Sequence, residues 1–306
     1  MSSLRYYTLD VFTDTAFGGN PLAVFVDAEG LDSQLMQQLA KELNLSETVF
    51  IGQSTAPNRY AVRIFTPAEE IPFAGHPTVG TALLLFKLGM LTEQEKDSNS
   101  IELILEEGVG DIAVTIQKPS SLRKEPVARF RTAQLPESQP SSLTQQTAAQ
   151  ILSVQPAQIV SQPFIASCGL PFHMIELENL AAVSAADLDS AALKQHLGND
   201  TLQDIYLFCR EGRKADIHAR MFAPMHGISE DPATGSAASA LVGIIARNLP
   251  GQGVQKLSIE QGVEMGRPSY IHTDVLYENS DIKAVYVAGQ AVLVSEGTFL
   301  VQLQSD

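Results

Sequence analysis

Short apolar runs rich in Val, Ile, Phe and Tyr alternate with Gly or Pro turns along this chain, a pattern of short strands and tight connections. Four stretches break it with helical periodicity. Asp32–Leu43 and Asp187–Leu197 are amphipathic, so each presents one apolar stripe to a core. Val79–Leu88 and Ala237–Ile245 are apolar almost all round. A helix without a polar face must be covered on every side, and a strongly curved sheet wrapped around it would do that.

These elements occur as two edited copies. Gly18-Gly-Asn-Pro-Leu-Ala-Val-Phe25 matches Cys168-Gly-Leu-Pro-Phe-His-Met-Ile175 in its Gly-x-Pro and the apolar strand that follows. An amphipathic helix comes next in each copy, then a strand, Glu47–Ile51 against Asp204–Phe208. Arg63-Ile-Phe-Thr-Pro67 matches Arg220-Met-Phe-Ala-Pro224, and Leu105-Glu-Glu-Gly108 matches Ile259-Glu-Gln-Gly262. The order never changes and the spacing is nearly constant, which marks a duplicated domain with far too long a period for a solenoid. The expected architecture is α/β (α+β): two similar lobes, residues 1–135 and 136–306, each a curved sheet or barrel around a central helix. The last strands are free to cross back to the first lobe, and the active site is expected in a cleft between the lobes. Leu135–Leu143, rich in Pro, Ser and Gln, reads as the linker region.

Both apolar helices are preceded by loop residues with chemistry. Gly75-His-Pro77 opens one and Asp231-Pro-Ala-Thr-Gly-Ser236 the other, with Pro77 and Pro232 read as lying just inside the first turn, where a missing N–H costs nothing. Helix N-termini offer backbone N–H groups and partial positive charge, which suit a small carboxylate or phosphate. Asp231 alone is explained equally well as an N-cap; His76 is not a preferred cap.

Composition narrows the function classes. Of 306 residues, 44% are hydrophobic and 18% charged, a globular balance. A formal net charge of −15 argues against general binding to nucleic acid or an anionic membrane, but not against a small anionic substrate held locally. The N-terminus has no apolar signal core, and Thr81–Leu91 and Ala237–Ala246 are too short to span a bilayer, so a cytoplasmic protein is expected. Cys168 and Cys209 form no CxxC pattern and read as small core residues, and the histidines show no metal-ligand spacing, so no metal is expected. Gly108-Val-Gly110 and Gly251-Gln-Gly253 lack the third glycine of a dinucleotide fingerprint.

Four motifs in order, Asp10-Val-Phe-Thr-Asp14 with Gly18-Gly-Asn-Pro21, Glu47-Thr-Val-Phe50, Phe73-Ala-Gly-His-Pro-Thr-Val-Gly80 and Glu230-Asp-Pro-Ala-Thr-Gly-Ser-Ala237, resemble the PhzF family of phenazine-biosynthesis-like isomerases. These share the diaminopimelate epimerase fold. The resemblance implies cofactor-independent acid–base isomerisation of a small carboxylate-bearing metabolite, as in the phenazine member, which is a dimer; a homodimer is left open here. It implies Glu47 as general acid/base, with His76 and Asp231 also catalytic, and Asn20, Gly75, Gly235 and Ser236 as substrate-binding residues.

A general acid/base needs a carboxyl group beside an apolar cleft, and Leu43, Leu45, Val49, Phe50 and Ile51 surround Glu47 in sequence. Diaminopimelate-type epimerases place a cysteine at each central helix; here both cysteines lie elsewhere, so a two-thiol mechanism is not expected. Arg63 and Arg220 are read as structural ion pairs, and Asn20 fits a turn as well as a substrate contact. Racemisation, elimination or lactone opening by the same residues, and a non-catalytic small-molecule-binding protein, remain the alternatives.

Overall fold

A computed structural model describes residues 2–93, 98–121, 123–198, 200–249 and 251–301. The chain forms two compact units, Met1–Arg131 with Ala288–Asp306, and Thr132–Val287.

The first unit contains β1 (Ser2–Val11), β2 (Asn20–Phe25), α1 (Ser33–Leu43), β3 (Glu47–Ala56), β4 (Arg59–Phe65), β5 (Glu70–Ile71), α2 (Gly75–Lys87), β6 (Ser100–Glu107), β7 (Gly110–Gln117) and β8 (Val127–Arg131). The C-terminal strand, Ala291–Val301, pairs antiparallel with β1. Beyond β1 the sheet continues through β2 antiparallel, β3 parallel, β4 antiparallel, β6 parallel, then β7 and β8 antiparallel.

The second unit contains β9 (Glu137–Pro140), α3 (Gln145–Ile151), β10 (Phe164–Ser167), β11 (Pro171–Glu176), α4 (Leu180–Ala185), α5 (Ser190–Leu197), β12 (Ile205–Cys209), β13 (Ile217–Ala223), β14 (Ile228–Asp231), α6 (Gly235–Arg247), β15 (Gly253–Gln261), β16 (Ser269–Glu278) and β17 (Asp281–Gly289). The same succession recurs: β9–β10 and β10–β11 antiparallel, β11–β12 parallel, β12–β13 antiparallel, β13–β15 parallel, β15–β16 antiparallel.

The duplication holds residue by residue. Phe50 faces Arg63 in the first unit as Leu207 faces Arg220 in the second. Ala61 lies beside Glu106 as His218 lies beside Glu260. Each unit therefore has an α2-like central helix with strands around it. α2 touches β1, β2, β3, β6, β7 and β8, and every residue from Gly75 to Leu85 is buried. α6 is enclosed by β9, β10, β11, β15 and β16. Close approach explains one glycine in each helix: a Cβ on Gly80 would stand 2.5 Å from Leu22 Cδ2 and 2.8 Å from Val11 Cγ2, and one on Gly243 would run into the Pro136 ring.

The amphipathic helices pack on the outer faces. α1 covers Phe25, Phe50 and Phe65, and α3, α4 and α5 cover a cluster containing Ile205, Leu207 and Phe222. No helix among the described residues is long and apolar enough to cross a membrane.

Three local expectations need correction. The helix expected over Asp187–Leu197 starts only at Ser190: Asp189 caps α5, accepting from Ala191 N and Ala192 N, and the separate short α4 before it ends at Ala185. Leu135–Leu143 is not only a linker, since β9 lies inside it and pairs with β10; all four β9 side chains are exposed, so no apolar alternation betrayed the strand. Pro232 lies outside α6, whose N-cap is Thr234, whereas Pro77 does sit in the first turn of α2.

Candidate active site

In the first unit the loop between β1 and β2 sets up the site. Phe12 and Phe17 hold φ of 64° and 69°, a left-handed backbone that bulky residues seldom adopt. Asp10 Oδ2 secures this turn by accepting from Phe17 N at 2.6 Å. The chain then enters β2 at Asn20, which is completely buried. β3 runs parallel to β2 with Glu47 opposite Leu22, so Asn20 and Glu47 lie at the same end of neighbouring strands. α2 brings His76 in as its second residue.

The side chains join in one line. Ser46 Oγ donates to Asn20 Oδ1 at 3.4 Å, and Asn20 Nδ2 meets His76 Nδ1 at 3.3 Å. An amide nitrogen only donates, so Nδ1 is the acceptor and the imidazole proton sits on Nε2. Nε2 lies 3.4 Å from Glu47 Oε2. Burial lowers the His76 pKa to about 3, so the ring is neutral; Nε2 and Glu47 Oε2 are both buried and, at 3.4 Å, lie in contact without a hydrogen bond to each other. Glu47 keeps 14% of its side-chain surface exposed against 4% for His76, so the carboxyl group is the member of the pair that solvent or a ligand reaches.

In the second unit Asp231 ends β14 rather than capping α6 directly. Its Oδ2 accepts from Thr234 Oγ1 at 2.6 Å. Gln261 secures the turn: its Nε2 donates to Asp231 O at 2.7 Å and Thr234 Oγ1 at 3.0 Å, while Oε1 accepts from Thr234 N and Tyr206 OH, each at 3.2 Å. Burial, reinforced by the Asp231 charge, raises the Tyr206 pKa and keeps that hydroxyl a donor. Gly235 and Ser236 then open α6, Gly235 buried and Ser236 half-buried.

The helix starts differ in a telling way. α1, α3, α4 and α5 are each capped by a side chain, from Asp32, Thr144, Asn179 and Asp189. α2 and α6 follow Ala74 and Thr234 with no side-chain cap bond. Such a helix start can offer backbone N–H groups to an anion.

The expected site residues thus fall into two groups. Asn20, Glu47, Gly75 and His76 meet in the first unit, and Asp231, Gly235 and Ser236 in the second. Asn20 spends its amide on His76 and Ser46. Ser46 and Thr78 were not singled out from sequence: Ser46 carries no motif, though its position beside Glu47 is suggestive in retrospect. Arg63 and Arg220 are structural, as expected. Arg63 pairs with Glu70 at 2.7 and 2.5 Å, and Arg220 pairs with Glu230 at 2.8 and 2.9 Å while capping the carbonyls of Val183 and Ala186. Cys209 is a buried core residue, but Cys168 is only half-buried because it sits in the turn between β10 and β11. Burial pushes the Cys168 thiol up to about 11, which disfavours the thiolate a proton-abstracting cysteine would need.

The chain belongs to the PhzC-PhzF family, whose model, described as phenazine biosynthesis-like protein, matches residues 9–297. It is an enzyme family, and several of the relatives matched are named isomerases. The chain is 36% identical to an uncharacterized isomerase of Mesorhizobium japonicum, over 98% of this chain and 100% of that protein. It is 33% identical to trans-2,3-dihydro-3-hydroxyanthranilate isomerase of Pseudomonas aeruginosa, over 96% of this chain and 98% of that protein. A crystal structure of a PhzF-family phenazine biosynthesis protein from Bacillus anthracis matches with a TM-score of 0.88, covering 98% of this chain and 100% of that one; at 24% identity this likeness speaks for the fold.

Proposed function

We propose that this chain is a cofactor-independent isomerase that moves a proton within a small carboxylate-bearing metabolite, with Glu47 as the proton carrier. The observation that carries the reading is the line Ser46–Asn20–His76–Glu47, in which Asn20 sets the tautomer of a neutral imidazole whose Nε2 lies 3.4 Å from one carboxyl group. In the reaction Glu47 as carboxylate takes a proton from an activated carbon, the electron pair shifts into the substrate's unsaturated system, and Glu47 returns the proton to a different carbon. No atom is gained or lost. The His76 N–H supports Glu47 in its ionised state and can turn towards developing negative charge. Gly235 and Ser236, at a helix start without a side-chain cap, are assigned to the substrate carboxylate, and Gly75 to substrate binding. Asp231 is assigned to substrate orientation and proton transfer, and Asn20 to holding the tautomer of His76.

The test uses trans-2,3-dihydro-3-hydroxyanthranilate, the compound named for the Pseudomonas relative, alongside a panel of other unsaturated amino and hydroxy carboxylates in D2O. Deuterium entering carbon with wild-type protein, and not with Glu47→Gln, supports proton transfer by Glu47. Full exchange by a folded Glu47→Gln variant removes Glu47 from the mechanism. Tight binding with no exchange in any compound favours a binding protein instead.

A further inference from the structure

Glu107 is a buried acid that the proposed chemistry does not use. It ends β6 with 6% of its surface exposed. Its Oε1 lies 2.8 Å from Thr78 Oγ1, and the same Thr78 oxygen lies 2.8 Å from Ala74 O. One hydroxyl carries one proton. Ala74 O is a carbonyl and can only accept, so that contact takes the Thr78 proton. The contact with Glu107 then needs a proton from the carboxyl group. Oε2 is buried with no hydrogen-bond partner, tolerable for the carbonyl oxygen of a neutral acid and far more costly for a carboxylate.

The second unit shows the same clamp in amide form. Tyr60 lies beside Leu105 in the parallel β4–β6 pair as Ile217 lies beside Ile259 in β13–β15, which makes Glu107 the counterpart of Gln261. Gln261 Nε2 donates to Thr234 Oγ1, whose own proton goes to Asp231. An acid O–H on Glu107 would do for Thr78 what that amide N–H does for Thr234.

We propose that Glu107 is a positioning residue that acts as a neutral carboxylic acid, its O–H locking Thr78 and with it the first turn of α2 that carries His76. The functional importance of that turn rests on the reading of His76 given above. Among the described residues, the charged groups on the neighbouring strands are paired with one another. Arg63 of β4 and Glu70 of β5 bind each other, and Arg59 of β4 binds Glu106 of β6 and Asp111 of β7. On α2, His76 is neutral. Burial raises the Glu107 pKa from 4.5 to about 8. A carboxyl group whose pKa is raised on folding keeps its proton longer in the folded chain. Stability therefore falls as pH rises from 4.5 to about 8 and levels off above.

The experiment is a pH titration of the full chain by NMR, following the Glu107 carboxyl carbon (assigned by its loss in Glu107→Gln) and the His76 ring nitrogens. The expected result is a Glu107 step near pH 8, with the His76 ring signals moving at the same pH although His76 itself does not titrate there. Glu107→Gln should keep the His76 signals of the low-pH form, remove the step, and exceed wild type in denaturant stability at pH 8 while matching it near pH 5. A Glu107 carbon that titrates near 4.5, or a Glu107→Gln variant that displaces the His76 signals, overturns the proposal; the wild-type titration decides even if the variant fails to fold. No substrate is involved, so this result and the fate of Glu47 as proton carrier are independent.

Discussion

His76 Nε2 stands 3.4 Å from Glu47 Oε2, and because Asn20 Nδ2 occupies Nδ1 on the far side of the ring, the proton of the imidazole lies on the Glu47 side. The pair is thus a neutral ring in contact with a carboxyl group, not an ion pair. Glu47→Gln retains the size and a hydrogen-bonding end but cannot carry a proton. Solvent-exchange turnover should drop roughly 10²–10⁴-fold, while the thermal unfolding midpoint stays close to wild type. Exchange kinetics and a melting curve on the same sample check both halves.

The tautomer argument has its own test in Asn20→Asp. A carboxylate accepts where the amide donated, so the ring must place a proton on Nδ1. His76 then either turns a lone pair towards Glu47 or becomes doubly protonated. Its pKa should rise from about 3 into the range where ring nitrogen signals can be followed, and turnover should fall on the order of 10²-fold. Unchanged ring shifts would mean that Asn20 does not set the tautomer.

Much of this was readable beforehand because it depends on local chemistry. The amphipathic helix expected over Asp32–Leu43 is α1, with Asp32 as its cap at Leu35 N; Glu47 begins its strand; the two apolar helices are the enclosed ones. What escaped depends on contacts distant in sequence. Pro232 lies outside α6 because Gln261, at the end of a later strand, ties Asp231 and Thr234 into a turn. The contact of the Asn20 amide with His76 joins residues far apart in the chain and has no local signature. Glu107 had a signal that went unused: its repeat partner is a glutamine, the neutral isostere of a protonated glutamate.

His218 provides a prediction about stability. Its ring is fully buried, with Nδ1 2.8 Å from Glu260 Oε1 and Nε2 3.0 Å from Glu264 Oε1. Burial alone would lower its pKa, but the bonds to Glu264 and Glu260 outweigh that and raise it. For Glu264 burial acts upward, and the bonds from His218 and Ser184 bring it down to about 2. The raised histidine contributes stability that is complete below its unfolded value of 6.5 and fades as pH rises through its folded pKa. The depressed glutamate contributes stability that is complete above 4.5 and fades as pH falls towards about 2. Both act fully from about pH 4.5 to 6.5, so His218→Leu should lose most there, on the order of 3 kcal/mol, because it removes the cation between two carboxylates that keep only bonds from Ser184 and from Arg213 N and Lys214 N. Urea unfolding across that range checks the profile.

Gly80 marks the tightest point between α2 and the strands that hold Asn20. A methyl group there would press on Leu22 and Val11, whose side chains are themselves buried. The gain in helix propensity from Gly to Ala, about 1 kcal/mol, is set against overpacking of about 1–3 kcal/mol. Gly80→Ala should therefore be destabilising on balance, and it should move the His76 ring signals because α2 is pushed off β2. A variant more stable than wild type would show that the helix can retreat without strain.

Asp231 separates capping from function at α6. Thr234 occupies the N-cap position, yet its hydroxyl proton is drawn to Asp231 Oδ2 and its oxygen receives Gln261 Nε2, so the hydroxyl makes no cap bond to the helix. Asp231→Ala removes the buried hydrogen bond with Thr234, worth about 1 kcal/mol, and releases Thr234 to turn towards the first N–H groups of α6, a cap also worth about 1 kcal/mol. Overall stability should change by less than about 1 kcal/mol. The anion site should suffer more, because the threonine oxygen then competes for the N–H groups assigned to the substrate carboxylate. Titration with trans-2,3-dihydro-3-hydroxyanthranilate, or with whichever carboxylate the exchange panel identifies, should show at least about tenfold weaker binding, equivalent to about 1.4 kcal/mol. Thr234→Val in the Asp231→Ala background cannot form the new cap and should recover part of that affinity. If the double variant binds no better than Asp231→Ala alone, Asp231 acts on the ligand directly rather than by holding Thr234 away from the helix.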